Sequence, residues 1–255
     1  MTKITAIIAA GGNGSRLGRG EGKQLLQLHG SPVIEYSIKT IRPLVDEIIL
    51  VIRPEDVTVA SSLYLEGAIG NPVIATLSAK ALPPRNDGDA STLRSAFIDK
   101  IVPGGATRTE SVANALKAVS PDTDIVLIHD GARPFVSTRT VNGCIETARQ
   151  QGACVAAVSV TDTIKQVDDQ LIVQGTPDRR ALWAVQTPQA FQYAVIMQAY
   201  QTAGTALPVR QFTDDASLVE AIGHKVKIVE SDHRNFKITT KEDLQFAEFL
   251  LEKGL

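Results

Sequence analysis

The chain has 255 residues, 44% of them hydrophobic and 21% charged, which is enough for one substantial core. A formal net charge of −2 supplies no global field for nucleic acid or an anionic membrane surface, so any anion site must be local. The longest apolar runs, at 47–52 and 153–160, fall far short of the roughly 20 residues of a membrane helix.

A strand pattern begins by residue 4, so no targeting peptide is expected ahead of it and the expected location is cytoplasmic. Cys144 and Cys154 make neither a metal spacing nor a disulfide framework, and the four histidines are scattered.

In chain order, Ile4 to Ala10 is an apolar, β-branched run suited to a strand buried on both faces of a parallel sheet. A glycine-rich loop follows. Residues 32–42, "PVIEYSIKTIR", open with Pro and place Val33, Ile34, Ile38 and Ile41 near helical spacing. Residues 47–52 predict a second buried strand, 55–65 a helix behind an acidic first turn, and 72–76 a third strand. The segment from about 76 to 103 lacks periodicity and reads as a surface insertion. Helices are expected at 108–119 and 138–151, with Ser111 or Thr109 as candidate caps for the first, and strands at 124–129 and 153–160. Residues 161–185 hold two β-like runs around a polar turn, the pattern of a protruding hairpin arm. Helices near 189–202 and 214–222, a strand at 225–230 and a helix at 240–252 close the chain. Alternating strands and helices predict a single α/β domain, doubly wound around a mostly parallel, Rossmann-like sheet, with ligands at the carboxyl ends of the strands.

The stretch "IIAAGGNGSRLGRGEGKQLLQL" at 7–28 has the composition of a phosphate loop, yet it fits neither common glycine template. A dinucleotide fingerprint starting at Gly12 would need glycine at Leu17, and a P-loop ending at Lys23 would need Ser or Thr at Gln24. Its glycines still let backbone N–H groups approach phosphate oxygens, with Arg16 and Lys23 to neutralise them. "DGARPF" and "PGGATRTES" fall after strands or before helices, so all three segments can converge on one sheet edge.

"AAGGNGSRLG", with Lys23 seven residues after Arg16, resembles the nucleotidyltransferase loop of sugar-nucleotide pyrophosphorylases. "GGATRTESV" (104–112), "HDGARPF" (129–135), "VTDTIK" (160–165), "DRRALWAVQTPQAF" (178–191), "TDDAS" (213–217) and "NFKITTKEDL" (235–244) follow in order. Together they resemble the 2-C-methyl-D-erythritol 4-phosphate cytidylyltransferase family nearly end to end. The resemblance implies a nucleotide-diphospho-sugar transferase type of fold and cytidylyl transfer from CTP to methylerythritol phosphate, with Mg²⁺ or another divalent metal required. It implies that Gly12, Gly14, Arg16 and Lys23 bind the triphosphate, and that Gly105, Arg108 and Ser111 surround the cytosine. It further implies that Asp130 binds the metal, that Arg133, Thr187 and Thr213 line the acceptor pocket, and that Lys237 faces the reacting phosphates. Asp162, Thr163 and Arg179 would lie on the arm, which in the family completes the partner's site in a homodimer.

The chemistry is consistent with these roles. A phosphate monoester, with a second pKa of about 6, is already an anionic nucleophile, so the catalytic set Arg16, Lys23, Thr163, Arg179 and Lys237 needs no general base. Three departures stand out: Gly22 and Leu25 replace the usual Pro and aromatic residue flanking the loop lysine, Ala106 stands where an acid is common, and the 76–103 segment is long. The nearest alternative is a ribitol-phosphate or other polyol-phosphate cytidylyltransferase. A nucleotide-sensing module without catalysis and an NAD-dependent oxidoreductase are more distant ones.

Overall fold

The computed structural model describes residues 2–11, 26–64, 98–206 and 212–254. The glycine loop from Gly12 to Leu25, with Gly14, Arg16, Gly22 and Lys23, lies outside the described residues, as do the strand expected at 72–76 and most of the 76–103 segment.

Strand β1 (Ile4–Ala10) leads to a small β2–β3 hairpin (Gln27–Leu28 and Ser31–Pro32) and helix α1 (Val33–Ile41). Then come β4 (Glu47–Ile52), α2 (Val57–Tyr64), β5 (Lys100–Pro103), α3 (Arg108–Ala118), β6 (Ile125–Asp130), α4 (Thr138–Gln151) and β7 (Ala153–Ser159). The short strands β8 (Gln166–Val167) and β9 (Val173–Gly175) precede β10 (Trp183–Gln192), α5 (Tyr193–Ala206), α6 (Asp215–Ala221), β11 (Lys227–Glu230) and α7 (Lys241–Glu252).

The main sheet has the order β11-β7-β10-β6-β1-β4-β5. Every neighbouring pair is parallel except the two made by β10, which runs antiparallel to both β6 and β7. Strands β4 and β6 are buried at every position, their apolar stretches 48–52 and 125–128 lying between two helical layers. On one face Ile34, Ile38 and Ile41 of α1 and Val141 and Cys144 of α4 pack on Ile8, Leu50 and Leu127. On the other, Val112 and Leu116 of α3, Ile196 of α5 and Leu218 of α6 pack on Ile7, Ile49 and Ile128. The expected α/β, doubly wound, mostly parallel architecture is therefore present. Among the described residues no helix is long and apolar enough to cross a membrane.

Three expectations are corrected. The helix read at 189–202 begins only at Tyr193, because 183–192 form β10. Gln186, Thr187 and Gln189 are buried in that strand through hydrogen bonds, so it lacks the apolar run that marks its neighbours. Pro188 is tolerated because the β10–β7 register shifts between Val185 and Gln189. The segment read as an insertion to 103 ends in the edge strand β5, whose four residues are too few to show a period. Finally, α3 is capped by Thr107, whose side chain accepts from the Glu110 backbone N–H, and not by Ser111 or Thr109.

The arm is an antiparallel β8–β9 hairpin outside the main sheet, with its turn organised by Asp168, which accepts from the backbone N–H groups of Gln170 and Ile172. Its apolar tip is uncovered in the single chain, Leu171 being 80% exposed. Phe191 is core, and Trp183 at the base of the arm is 37% exposed.

Candidate active site

The carboxyl ends of β1 and β6 and the start of α3 meet at one edge, and Gly11, the last described residue before the glycine loop, reaches it. A Cβ at Gly11 would lie 3.5 Å from Ser111 Oγ. The turn before α3 is tight. A Cβ at Gly105 would come within 2.4 Å of Glu110 Cβ, so only glycine fits. Ser111 Oγ accepts from Gly105 N–H at 3.0 Å and donates to Thr107 O at 2.8 Å, holding this turn against the helix.

Asp130, the last residue of β6, is the centre of the cluster. Lys237 Nζ donates to its Oδ2 at 2.9 Å, Arg133 Nε lies 3.6 Å from the same oxygen, and Arg108 Nε lies 3.5 Å from Oδ1. Burial pushes this carboxyl up, but Lys237, Arg108 and Arg133 outweigh it and hold it well below the usual carboxylate range. These cations hold it in the ionised form. Arg108 also pairs with Asp215 at 2.8 Å through Nη2. Arg133 Nη1 donates to Asn235 O at 2.8 Å, while its buried Nε has no hydrogen-bond partner among the described residues.

The backbone beneath Asp130 is fixed by a chain of neutral groups. Asp130 N–H donates to Thr187 Oγ1 at 3.0 Å, and Thr187 Oγ1 meets His129 Nδ1 at 3.1 Å. His129 Nε2 lies 3.1 Å from Arg133 O. A carbonyl can only accept, so Nε2 carries the proton and Nδ1 of the neutral ring accepts from the Thr187 hydroxyl. The ring is neutral because burial pulls its pKa down to about 4. Asn235 ties the 231–238 segment to β10, donating to Gln186 Oε1 at 2.9 Å and to Thr187 O at 2.8 Å.

The family model described as IspD, 2-C-methyl-D-erythritol 4-phosphate cytidylyltransferase, matches residues 4–253. The chain belongs to this family. Relatives with that cytidylyltransferase name include one from Alkaliphilus oremlandii, 40% identical over 254 residues that cover 99% of this chain and 96% of the relative. One from Geobacillus thermodenitrificans is 42% identical over 250 residues, covering 96% of each. The crystal structure of 4-diphosphocytidyl-2C-methyl-D-erythritol synthase from Anaerococcus prevotii matches with a TM-score of 0.75 at 32% identity, covering 98% of this chain and 99% of that one. The cytidylyltransferase of Thermus thermophilus matches with a TM-score of 0.71 at 30% identity, covering 99% and 100%.

In this cytidylyltransferase-family chain the expected residues Arg108, Asp130, Arg133 and Lys237 come together, with Thr187 directly beneath them and Gly105 and Ser111 at the adjoining turn. Thr213 is exposed just before the cap of α6. Asp162, Thr163 and Arg179 are exposed on the arm, where Arg179 Nη1 bonds Thr161 O. Among the described residues no hydrogen bond or ion pair joins those three to the Asp130 cluster of the same chain. His129, Asn235, Gln189 and Asp215 were not anticipated. The histidine and both aspartates of "TDDAS" were in view, but only the fold shows what they face.

Proposed function

We propose that this chain transfers the cytidylyl group of CTP to 2-C-methyl-D-erythritol 4-phosphate, forming 4-diphosphocytidyl-2-C-methyl-D-erythritol and pyrophosphate in the non-mevalonate route to isoprenoids. The observation that carries the reading is the ionised Asp130 carboxylate ringed by Lys237, Arg108 and Arg133 at the carboxyl ends of the strands. It sits in a chain that matches the family over residues 4–253.

An oxygen of the acceptor 4-phosphate forms the new bond to the α-phosphorus of CTP, and the bond from that phosphorus to the bridging oxygen of pyrophosphate breaks. The acceptor is anionic near neutral pH, so the protein's task is alignment and charge stabilisation. Lys237, whose side chain is 40% exposed, is the cation of the cluster best placed to turn toward the incoming phosphates. Arg16, Lys23 and the backbone of Gly12 and Gly14 would hold the triphosphate, and Gly105 and Ser111 the cytosine; Arg108, which the family resemblance places at the cytosine, faces Asp130 in this chain and would serve the reacting phosphates from there. Arg133, whose Nε makes no hydrogen bond among the described residues, would meet the acceptor phosphate together with Thr213, while Thr187 supports Asp130 from below. Asp162, Thr163 and Arg179 would serve a partner subunit's site.

A single ionised carboxylate at a strand end suits Mg²⁺, which commonly takes one or two protein carboxylates and fills its shell from substrate phosphates and water. Asp130 would hold it, and bound there it would neutralise charge on the triphosphate.

Pyrophosphate release from CTP is expected with methylerythritol 4-phosphate and not with ribitol 5-phosphate; preference for the latter overturns the acceptor assignment. Sedimentation at micromolar concentration is expected to show a dimer, and a fully active monomer would remove the arm residues from the site.

A further inference from the structure

Arg108 occupies an unfavourable place. It is the first residue of α3, where the positive end of the helix disfavours a cation, and its side chain is only 30% exposed. Its guanidinium nevertheless lies between two carboxylates, Asp130 of the site and Asp215 at the first turn of α6. The two contacts differ: the pair with Asp215 closes to 2.8 Å, that with Asp130 only to 3.5 Å.

Asp215 is itself fixed at several points. It is 1% exposed. Gln189 of the central strand β10 accepts from the backbone N–H groups of both Asp215 and Ala216, at 3.1 and 3.0 Å, and Tyr200 of α5 donates its hydroxyl to Asp215 Oδ1 at 2.6 Å. Apart from the Arg108 pair, Asp215 Oδ2 has no hydrogen-bond partner among the described residues, so this oxygen is dedicated to the arginine. The sheet, α5 and α6 thus converge on one acid whose remaining valence is spent on one guanidinium.

We propose that Asp215 is a positioning residue for cytidylyl transfer, anchoring Arg108 so that its cation stays beside Asp130 and the reacting phosphates. The inference rests on the cytidylyltransferase reading above. Asp130 alone could not perform this service, because any cation that engages its carboxylate competes with Arg108, and any phosphate competes with Asp130 for the guanidinium. A second carboxylate, buried and out of the substrate's reach, keeps the guanidinium in place through that exchange.

Asp215 carries negative charge near an anion site, and this separates positioning from simple electrostatics. Replacing it by Asn makes the cluster more positive, which favours nucleotide binding, while freeing Arg108 to leave the reacting geometry. A misplacement of about 1 Å costs on the order of 100-fold. Steady-state kinetics with CTP and methylerythritol phosphate should therefore show Asp215→Asn lowering kcat by roughly 10- to 100-fold with the KM for CTP unchanged or lower. Asp215→Glu should recover part of the loss. In an Arg108→Ala background Asp215→Asn should have little further effect on kcat, since the acid acts through the arginine.

Thermal melts on each variant give the folded fraction used to normalise kcat, and Tyr200→Phe, which removes only the hydroxyl, stands in should Asp215→Asn not fold; it should lower kcat in the same direction by a smaller factor. Unchanged kcat in the folded variant, or an equal loss with and without Arg108, overturns the proposal. Absence of turnover in the unmodified protein assayed alongside would instead overturn the function.

Discussion

The molecule buries a carboxylate against a lysine at each end of its sheet, and the two are built differently. At the amino edge Glu47, the first residue of β4, meets Lys100 at 2.7 Å and accepts from Thr5 Oγ1 and Ser120 Oγ, each at 3.0 Å. Burial pushes its carboxyl up, and hydrogen bonds from Lys100, Thr5 and Ser120 outweigh this. At the carboxyl edge Asp130 receives, among the described residues, one hydrogen bond from a side chain, that of Lys237, and otherwise faces two guanidinium groups at 3.5 and 3.6 Å. Glu47 is satisfied by one close lysine and by two neutral hydroxyls within hydrogen-bond distance, as a structural acid should be. Asp130 is held by an excess of positive charge at looser distances, which leaves its oxygens and its cations able to exchange partners. The difference is the one expected between a structural end of the sheet and the proposed catalytic end.

The contrast is broken most severely by removing cations. Lys237→Ala, and Lys23→Ala in the glycine loop, are each expected to lower kcat on the order of 100- to 1000-fold with the melting temperature nearly kept. Wild-type-like turnover in either would sink the corresponding assignment. Glu47→Gln should do the reverse: a stability loss of about 2 kcal/mol in urea denaturation, from weakened bonds to a charged acceptor, with turnover per folded molecule unchanged. A rate loss there would mean that the two acids are not functionally distinct.

The histidine under Asp130 supplies a further, smaller test. Its folded pKa of about 4 lies below the ordinary 6.5, so between those values the unfolded chain binds more protons than the folded one. That stability is fully present above pH 6.5 and is lost as pH falls toward 4. Denaturation midpoints should report a loss of about 2 kcal/mol between pH 7 and pH 5. His129→Gln should flatten this dependence, and an unaltered slope would show that His129 is not the group responsible.

Much of the frame was legible in the chain. The apolar runs at 4–10, 47–52 and 153–159 became β1, β4 and β7 because a strand covered on both faces has no polar side to interrupt its pattern. Helix α4 was legible at both ends, with Ser137 capping its start and Gly152 at φ 88° just past its end. Strand β10 was not, since a buried strand made of Gln186, Thr187, Pro188 and Gln189 has no periodic signal of its own. Each of those polar side chains is acceptable only because a particular partner from another element meets it.

The same division holds at the site. Sequence by itself determined the chemical inventory: a glycine loop with Arg16 and Lys23, an aspartate closing a strand, and the later Arg133 and Lys237, because residue type and strand-end position are local properties. Only the tertiary structure decided that Arg108 faces two acids, that Thr187 spends its hydroxyl on His129, and that Asp215 is an anchor. Those roles depend on distances between residues as much as 107 positions apart, and neither the cations that keep Asp130 charged nor the burial that keeps His129 neutral exists around them until the layers have closed.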